Sequence, residues 1–241
     1  MLSATQGGTT TESYTYDPVG NRLSSLGLSP YQYNVSNELT QTPNTLYAQD
    51  AKGNTMIKTD STGSTTYTWD YENRLKSVTL PGTGGTVTFK HDPFGRRIYK
   101  QSANATSILV YDGNNLIETV NTTGGTVARY AQGQSIDEPL AMQRGTTIDY
   151  YEADGLGSIT SLMDSTCAVV QGYTYDSFGN QTNSTGTLHM PRVVAGQTNV
   201  IRIPLHHGGP SSATDEVALS GGFAQMSPRL MNKRCGLSSG V

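Results

Sequence analysis

The eight residues Tyr14-Thr-Tyr-Asp-Pro-Val-Gly-Asn21 return almost unchanged as Tyr173-Thr-Tyr-Asp-Ser-Phe-Gly-Asn180, and degenerate copies lie between them. A chain with this self-similarity is a repeat array. Aligned on the acidic or amide residue, the copies place Asp17, Asn34, Asp50, Asp70, Asp92, Asp112, Asp154 and Asp176 in one column. Three positions later stand Gly20, Asn37, Gly53, Asn73, Gly95, Asn115, Gly157 and Gly179. Every member of that second column is Gly or Asn, the residues that enter the left-handed backbone region at least cost.

The pattern describes a hairpin turn. Asp or Asn at the first position accepts hydrogen bonds from backbone N–H groups two or three residues on, and Pro18 and Pro93 supply the fixed φ favoured at the next position. A type I turn followed by a left-handed residue joins two antiparallel strands and absorbs the extra residue as a bulge. Incoming strands are expected at Tyr14 to Tyr16, Tyr67 to Trp69 and Phe89 to His91, and outgoing strands at Leu23, Leu75 and Ile98. Aromatics at alternate positions fall on one face, the expected core.

A second turn class is expected at Gly7-Gly8-Thr9, Gly63-Ser64-Thr65, Gly84-Gly85-Thr86 and Gly124-Gly125-Thr126, as two-residue loops needing positive φ. One class should then line one border of the sheet and the other class the opposite border. In the copy from Tyr47 to Ile57, Gln49 replaces the second aromatic, so an edge or an irregularity is expected there. A single hairpin is too small to be stable, so neighbours must bury one another's faces. Composition agrees: 34% hydrophobic residues, 27 Gly and 14 Tyr suit many short strands with frequent turns, and almost no segment shows helical spacing of apolar residues. The fold class is all-β.

A net charge of -3 and the absence of a dense Lys/Arg cluster give no electrostatic basis for binding nucleic acid. No apolar run is long enough to span a bilayer, and Met1 to Thr10 lacks the basic start and apolar core of an export signal. Cys167 and Cys235 share no CxxC or Cys/His spacing and read as incidental.

Six features of the sequence resemble chemical motifs. The repeated Asp residues are explained as turn formers. Gly236-Leu-Ser238-Ser-Gly240 matches a nucleophile elbow, but no Asp or His follows it. His206-His207 has no further ligand at a recurrent spacing. Gly82-Thr-Gly84-Gly85 lacks the Lys-Ser/Thr ending of a phosphate loop, and Asp112-Gly-Asn-Asn115 lacks the later carboxylate of a calcium loop. His91 occupies an aromatic column and is expected to pack. No catalytic residue, cofactor or metal is assigned. The tyrosines carry two readings, packing on the sheet's own face or stacking against sugars or a partner, and packing is favoured.

From Tyr130 onward the text changes, with Asp137-Glu138-Pro139-Leu140, Tyr150-Tyr151, Gly155-Leu-Gly-Ser158 and then Tyr173 to Gly179. The repeats resemble YD (or RHS) repeats, and this segment resembles the start of the RHS repeat-associated core domain. The resemblance covers about residues 12–187 and divides the chain into a hairpin array at 1–128, the start of a core at 129–187, and a divergent tail at 188–241. The family's Thr-Gly-Arg-Glu and Arg-Tyr-Tyr-Asp-Pro segments do not follow Leu188, so the tail is expected to be a frameshifted or truncated ending, largely disordered.

The resemblance implies an antiparallel meander of hairpins forming a curved open sheet, one section of a YD-repeat β-shell. Such shells enclose a variable C-terminal toxin in bacterial toxin complexes and polymorphic toxins, and teneurins carry a related shell on animal cell surfaces. Some toxins contain an aspartyl self-cleavage site, which lies in the part of the pattern missing after Leu188. The implied function is a non-enzymatic structural section of a longer bacterial protein, secreted or at the cell surface. Its implied partners are upstream YD repeats and a toxin cargo. An alternative is a carbohydrate or cell-envelope binding module, with glycans as partners, and a third reading is a self-cleaving protease fragment. With open edges, the isolated chain is expected to self-associate.

Overall fold

A computed structural model describes residues 3–134, 138–186, 201–202 and 216–217. The chain divides into two compact units, Met1–Thr106 and Ser107–Val241. Among the described residues there is no helix. The fold is all-β, built from repeated antiparallel hairpins.

In the first unit, β1 (Ser3–Gln6), β2 (Thr9–Tyr16) and β3 (Arg22–Ser25) form a three-stranded sheet. An open sheet follows in chain order: β4 (Gln32–Tyr33), β5 (Leu39–Thr42), β6 (Thr45–Gln49), β7 (Thr55–Asp60), β8 (Gly63–Trp69), β9 (Leu75–Thr79), β10 (Thr86–His91) and β11 (Arg97–Gln101). The second unit repeats the plan with β12 (Thr106–Asp112), β13 (Asn115–Val120), β14 (Thr126–Gln132), β15 (Pro139–Arg144), β16 (Thr147–Ala153), β17 (Ile159–Met163), β18 (Val169–Tyr175) and β19 (Gln181–Gly186). Two short strands, β20 (Ile201–Arg202) and β21 (Glu216–Val217), pair with each other. The expected disorder of the tail otherwise concerns residues outside those described.

Every anchored hairpin except that of Asp112 has the same register fault. The ladder jumps at Tyr16↔Arg22, Tyr33↔Leu39, Gln49↔Thr55, Trp69↔Leu75, His91↔Arg97, Ala153↔Ile159 and Tyr175↔Gln181. In every case the residue before the anchor faces the one five places after it, and the residue six places after the anchor, such as Leu23, Met56 or Lys76, is the extra one of the bulge. The Gln49 copy is no exception: β6 pairs with β5 and with β7, so the expected edge or irregularity is absent.

Alternation along the strands separates two faces. On one face of the first unit, Tyr67 stands opposite Val78 and Val78 opposite Val87, and all three are buried together with Tyr14, Tyr31, Leu75 and Phe89. In the second unit the same role falls to Ala128, Met142, Tyr151, Ile159 and Leu162, with Tyr130, Ala153, Val170 and Tyr173 packed against them. The other face accounts for the Thr and Ser content. Hydroxyl pairs cross the strands at Thr15–Ser24 (2.6 Å), Thr68–Ser77 (2.7 Å) and Thr174–Thr182 (2.8 Å), contacts that stabilise a pleated surface.

The second turn class is more varied than expected. Gly7-Gly8 is a two-residue loop between paired Gln6 and Thr9, with φ of 57° and 79°. Gly63 instead begins β8 and pairs with Asp60, leaving Ser61-Thr62 as the loop. The loop near Gly84-Gly85 runs from Leu80 to Gly85, closed by Leu80 N–H donating to the Gly85 carbonyl.

Candidate functional site

The residues that recur from repeat to repeat are concentrated at the turns, and Asp50 shows their construction plan. Its N–H donates to the Asn54 carbonyl (2.9 Å), and Gly53 N–H donates back to the Asp50 carbonyl (3.0 Å). Asp50 Oδ1 accepts from Lys52 N–H (2.8 Å) and Asn54 N–H (2.9 Å), while Oδ2 accepts from Asn54 Nδ2 (3.0 Å). Gly53 has φ of 81°. A carboxylate in this position satisfies two N–H groups that the tight reversal leaves without strand partners.

The same paired Oδ1 contacts, at 2.7–3.0 Å, recur at Asp17, Asn34, Asp70, Asp92, Asp154 and Asp176. Three residues on, φ is positive at Gly20, Asn37, Asn73, Gly95, Gly157 and Gly179. Asp112 and Asn115 depart from the column. They are the last ladder pair of a two-residue hairpin, whose positive φ belongs to Gly113. Asn115 is thus a strand residue and not the left-handed one, because Gly113 already supplies the reversal one residue after Asp112.

These carboxylates are tuned as hydrogen-bond acceptors. At Asp50 the Asn54 side-chain amide, reinforced by backbone N–H groups, holds the carboxyl below its ordinary value of 3.8 despite partial desolvation. At Asp17, Asp70 and Asp92 desolvation pushes upward, and hydrogen bonds from Asn21, Arg74 and Arg96 respectively outweigh it. Arg74 and Arg96 form ion pairs with their anchors at 2.7 Å and 2.6 Å. A carboxylate committed to donors in this way is a poor general base.

Two further sets of contacts tie one hairpin to the next. Along the turns of the first unit, Asn21 Nδ2 donates to Asn37 Oδ1 (3.0 Å), Asn54 Nδ2 to Asn73 Oδ1 (3.0 Å), and Arg74 Nη1 to the Asp92 carbonyl (3.0 Å). Beneath the turns, the residue just before an anchor reaches back to the bulge of the preceding hairpin. Tyr33 Oη donates to the Arg22 carbonyl (2.8 Å), Trp69 Nε1 to Thr55 (2.8 Å) and Tyr175 Oη to Ile159 (2.7 Å). Gln49 Nε2 does the same to the Leu39 carbonyl. A donor at the tip of a long side chain serves this position as well as an aromatic ring does, so Gln substitutes for an aromatic without disturbing the register, and Ala153 shows that the register holds even without one.

Residues 1–191 match the sequence model of the Teneurin YD-shell family. The chain belongs to the YD-shell family. Among curated relatives, it is 30% identical over 194 residues to the tRNA nuclease WapA of Bacillus subtilis (strain 168), a match covering 76% of this chain and 8% of that protein. It is also 30% identical over 155 residues to the tRNA(Glu)-specific nuclease WapA of Bacillus subtilis subsp. natto (strain BEST195), covering 63% and 6% respectively. Among solved structures it resembles TcdB2-TccC3 without its hypervariable C-terminal region, with a TM-score of 0.44, 15% identity, and 73% of this chain against 12% of that one. The Photorhabdus luminescens Tc holotoxin pore gives a TM-score of 0.38 at 15% identity, covering 73% and 14%. This YD-shell chain thus spans less than a tenth of the length of the curated relatives it matches.

Several YD-shell turn residues were not among those expected. Asn121 Oδ1 accepts from Thr123 N–H (3.0 Å) and Gly125 N–H (2.8 Å), and Asp164 Oδ1 accepts from Thr166 N–H (2.8 Å) and Ala168 N–H (3.1 Å). Gly124 and Cys167 take the left-handed position, with φ of 80° and 66°. With Asp60 they define a subclass, Asp/Asn-Ser/Thr-Thr, in which the Thr hydroxyl also donates to Oδ1. All three lie where an odd-numbered strand passes to an even-numbered one, opposite the border of Asp154 and Asp176. The turns of the two expected classes each keep to their own border, but the construction does not, since a side-chain acceptor followed by a left-handed residue works at either border. Gln132, also unforeseen, donates through Nε2 to the Leu116 carbonyl (2.7 Å) as the other reach-back residues do.

The remaining candidates carry little chemistry. Among the described residues no group of three or more His, Cys, Asp or Glu could hold a metal ion. Cys167 is disulfide-bonded, which corrects its reading as incidental. His91 pairs with Arg97 in the ladder, and burial, with Arg97 and Arg74 nearby, holds its imidazole below the ordinary 6.5. Tyr14, Tyr31, Tyr67 and Tyr151 are buried, whereas Tyr71 at a turn tip is 81% exposed. His206, His207 and the Gly236 to Gly240 motif lie outside the described residues.

Proposed function

We propose that this chain is a non-enzymatic structural section of a YD shell that encloses a toxin, within a longer secreted or cell-surface bacterial protein. The observation that carries this reading is the family match over residues 1–191 together with the use of the anchor carboxylates as turn acceptors. Its partners on this reading are further YD repeats and a toxin cargo. Residues 1–128 act as hairpin wall, residues 129–187 as the start of a core, and residues 188–241 as a divergent end. A protein that encloses a cargo needs a continuous wall, and coupled hairpins supply one without requiring any reactive group.

Limited proteolysis of a longer protein carrying this section tests the proposal. Deleting residues 12–187 is expected to expose the C-terminal cargo to protease while leaving the flanking repeats resistant. Unchanged cargo protection after the deletion overturns the enclosing role. Saturable binding of one sugar class by the isolated chain favours the carbohydrate-module alternative instead.

A further inference from the structure

The two borders of the first unit differ in what their tips present. At the anchored turns the exposed tip residues are Val19, Val35, Tyr71 and Phe94, exposed by 72%, 103%, 81% and 83%. The opposite border presents Gly7-Gly8 and the part-exposed Leu26 and Leu28 next to the three-stranded sheet, and along the open sheet Pro43-Asn44, Ser61-Thr62 and Gly82-Thr83. Isolated exposed apolar residues are ordinary, but within the open sheet β4–β11 the exposed tips Val35, Tyr71 and Phe94 all fall on one border, and such a row marks an interaction surface. The row is also held in place. The ties Asn21–Asn37, Asn54–Asn73 and Arg74–Asp92 fix successive turns, and Lys52 Nζ donates to the Tyr71 carbonyl (3.2 Å).

We propose that this border docks against the same border of a second copy of the chain, related by a two-fold axis between the Asp50 and Asp70 turns. Spacing is the first reason. One repeat is two strands, so tips recur about every 9–10 Å, a period that another row of identical turns reproduces and that makes the surface self-complementary. Charge selects the register, with Glu72, about half exposed, reaching the second copy while it also pairs with Arg74 at 2.6 Å in its own turn. A two-fold axis between these turns sets Lys52 against Glu72 of the second copy twice, and Val35 against Phe94 of the second copy twice. An axis through the Asp50 turn would oppose Lys52 to itself, and one through the Asp70 turn would oppose Glu72 to itself. An axis between the Asn34 and Asp50 turns would set Lys52 against Val35.

The area bounds the strength. Tyr71 and Phe94 each offer about 150–250 Å², so the paired rows cover roughly 1,000 Å² in all, at the lower limit for a specific interface. The product is a weak dimer in rapid exchange. The proposal rests on the tip chemistry and stands or falls apart from the enclosing role.

Sedimentation velocity of the full 241-residue chain over a wide concentration range tests it. The wild-type chain is expected to pass from monomer to dimer. The double variant Val35→Asp/Phe94→Asp should weaken dimerisation at least about tenfold while leaving the far-UV circular dichroism unchanged, because both side chains are solvent-exposed. Lys52→Glu should weaken it about threefold, and Lys52→Glu/Glu72→Lys should restore it. The charge swap also decides the matter if the Asp variant fails to fold. A monomer at every concentration, a dimer that keeps its affinity in the Asp variant, or a charge swap that does not restore affinity overturns the proposal.

Discussion

Trp69 Nε1 donates to the Thr55 carbonyl at 2.8 Å, fastening one hairpin to the bulge of the hairpin before it. The bulge is where ladder bonding lapses, so the carbonyl there needs another donor, and the incoming strand of the next repeat brings one. Trp69→Phe keeps the ring and removes the donor. It is expected to destabilise the chain by about 0.5–1.5 kcal/mol, the net value of one such bond. Tyr33→Phe and Tyr175→Phe should do the same at their own positions. Amide exchange gives the readout: protection should fall around Thr55 in the Trp69 variant and around Ile159 in the Tyr175 variant.

Asp50→Ala deletes the acceptor for two backbone N–H groups and is expected to cost about 1–2 kcal/mol. Asp50→Asn keeps Oδ1, as Asn34 and Asn121 do natively, and should cost less than half as much. Denaturant unfolding of both variants compares them. Equal losses would show that charge, and not the acceptor geometry, sustains the turn.

At the left-handed position the expectation depends on which residue stands there. Gly95 has φ of 82° and open space around its Cα, so Gly95→Ala introduces backbone strain without a clash. A cost of about 1–2 kcal/mol follows. Asn73 has φ of 60° and accepts from Asn54 through Oδ1. Asn73→Gly should be nearly neutral, relief of strain offsetting the lost tie, whereas Asn73→Ala should be the more damaging of the two. Thermal midpoints of the pair give the comparison.

Much of this plan was legible in the sequence. Asp17 with Gly20, or Asp70 with Asn73, is a local rule: the acceptor and the left-handed residue act within five positions, and the sequence displays both. Alternating Tyr67 and Trp69 likewise announced the buried face. Three things were not visible. Asp112 and Asn115 have the right spacing, but Gly113 allows a tighter reversal that the spacing alone does not exclude. Asp164 was hidden because Cys167 fills a position that elsewhere holds Gly or Asn, although the Asp-Ser-Thr text it shares with Asp60 was a usable signal. The reach-back of Gln49 to Leu39 spans two hairpins, and only the stacking of the repeats shows what a donor at that position can do.

Acid should unfold the chain through these same turns. Side-chain donation from Asn54 and from Thr166 holds Asp50 and Asp164 below their ordinary value of 3.8. Folded carboxyls with depressed pKa values bind protons less readily than unfolded ones. Their stabilisation is therefore complete above about pH 4 and is lost as pH falls through the folded values. His91 adds an earlier loss. Its imidazole is held below 6.5 in the fold, so the unfolded chain takes up that proton first and stability declines below about pH 6.5. Thermal midpoints against pH should show both legs. His91→Tyr should flatten the upper leg alone, and Asp50→Asn/Asp164→Asn should make the lower leg shallower.

The second unit contains a different kind of polar contact, an ion pair set into the apolar face. Arg144 Nη2 lies 2.8 Å from Asp149 Oδ2, and the Asp149 side chain is only 2% exposed while that of Arg144 is 32% exposed. Asp149 stands directly opposite Met142 in the ladder, two residues from Tyr151, which faces Leu162. Removing one partner of a buried pair costs about 3–5 kcal/mol. Asp149→Ala should fall at or below that range, since the partly exposed Arg144 can turn toward water. Arg144→Met should cost more than Asp149→Ala, because it strands the buried carboxylate, the group that water cannot reach. The double replacement Arg144→Met/Asp149→Leu removes both charges from a face already lined by Met142 and Leu162, and it should recover most of the loss. Urea unfolding of the three variants measures this, and a double variant less stable than either single one would mean that the pair fixes the β15–β16 register rather than merely tolerating burial.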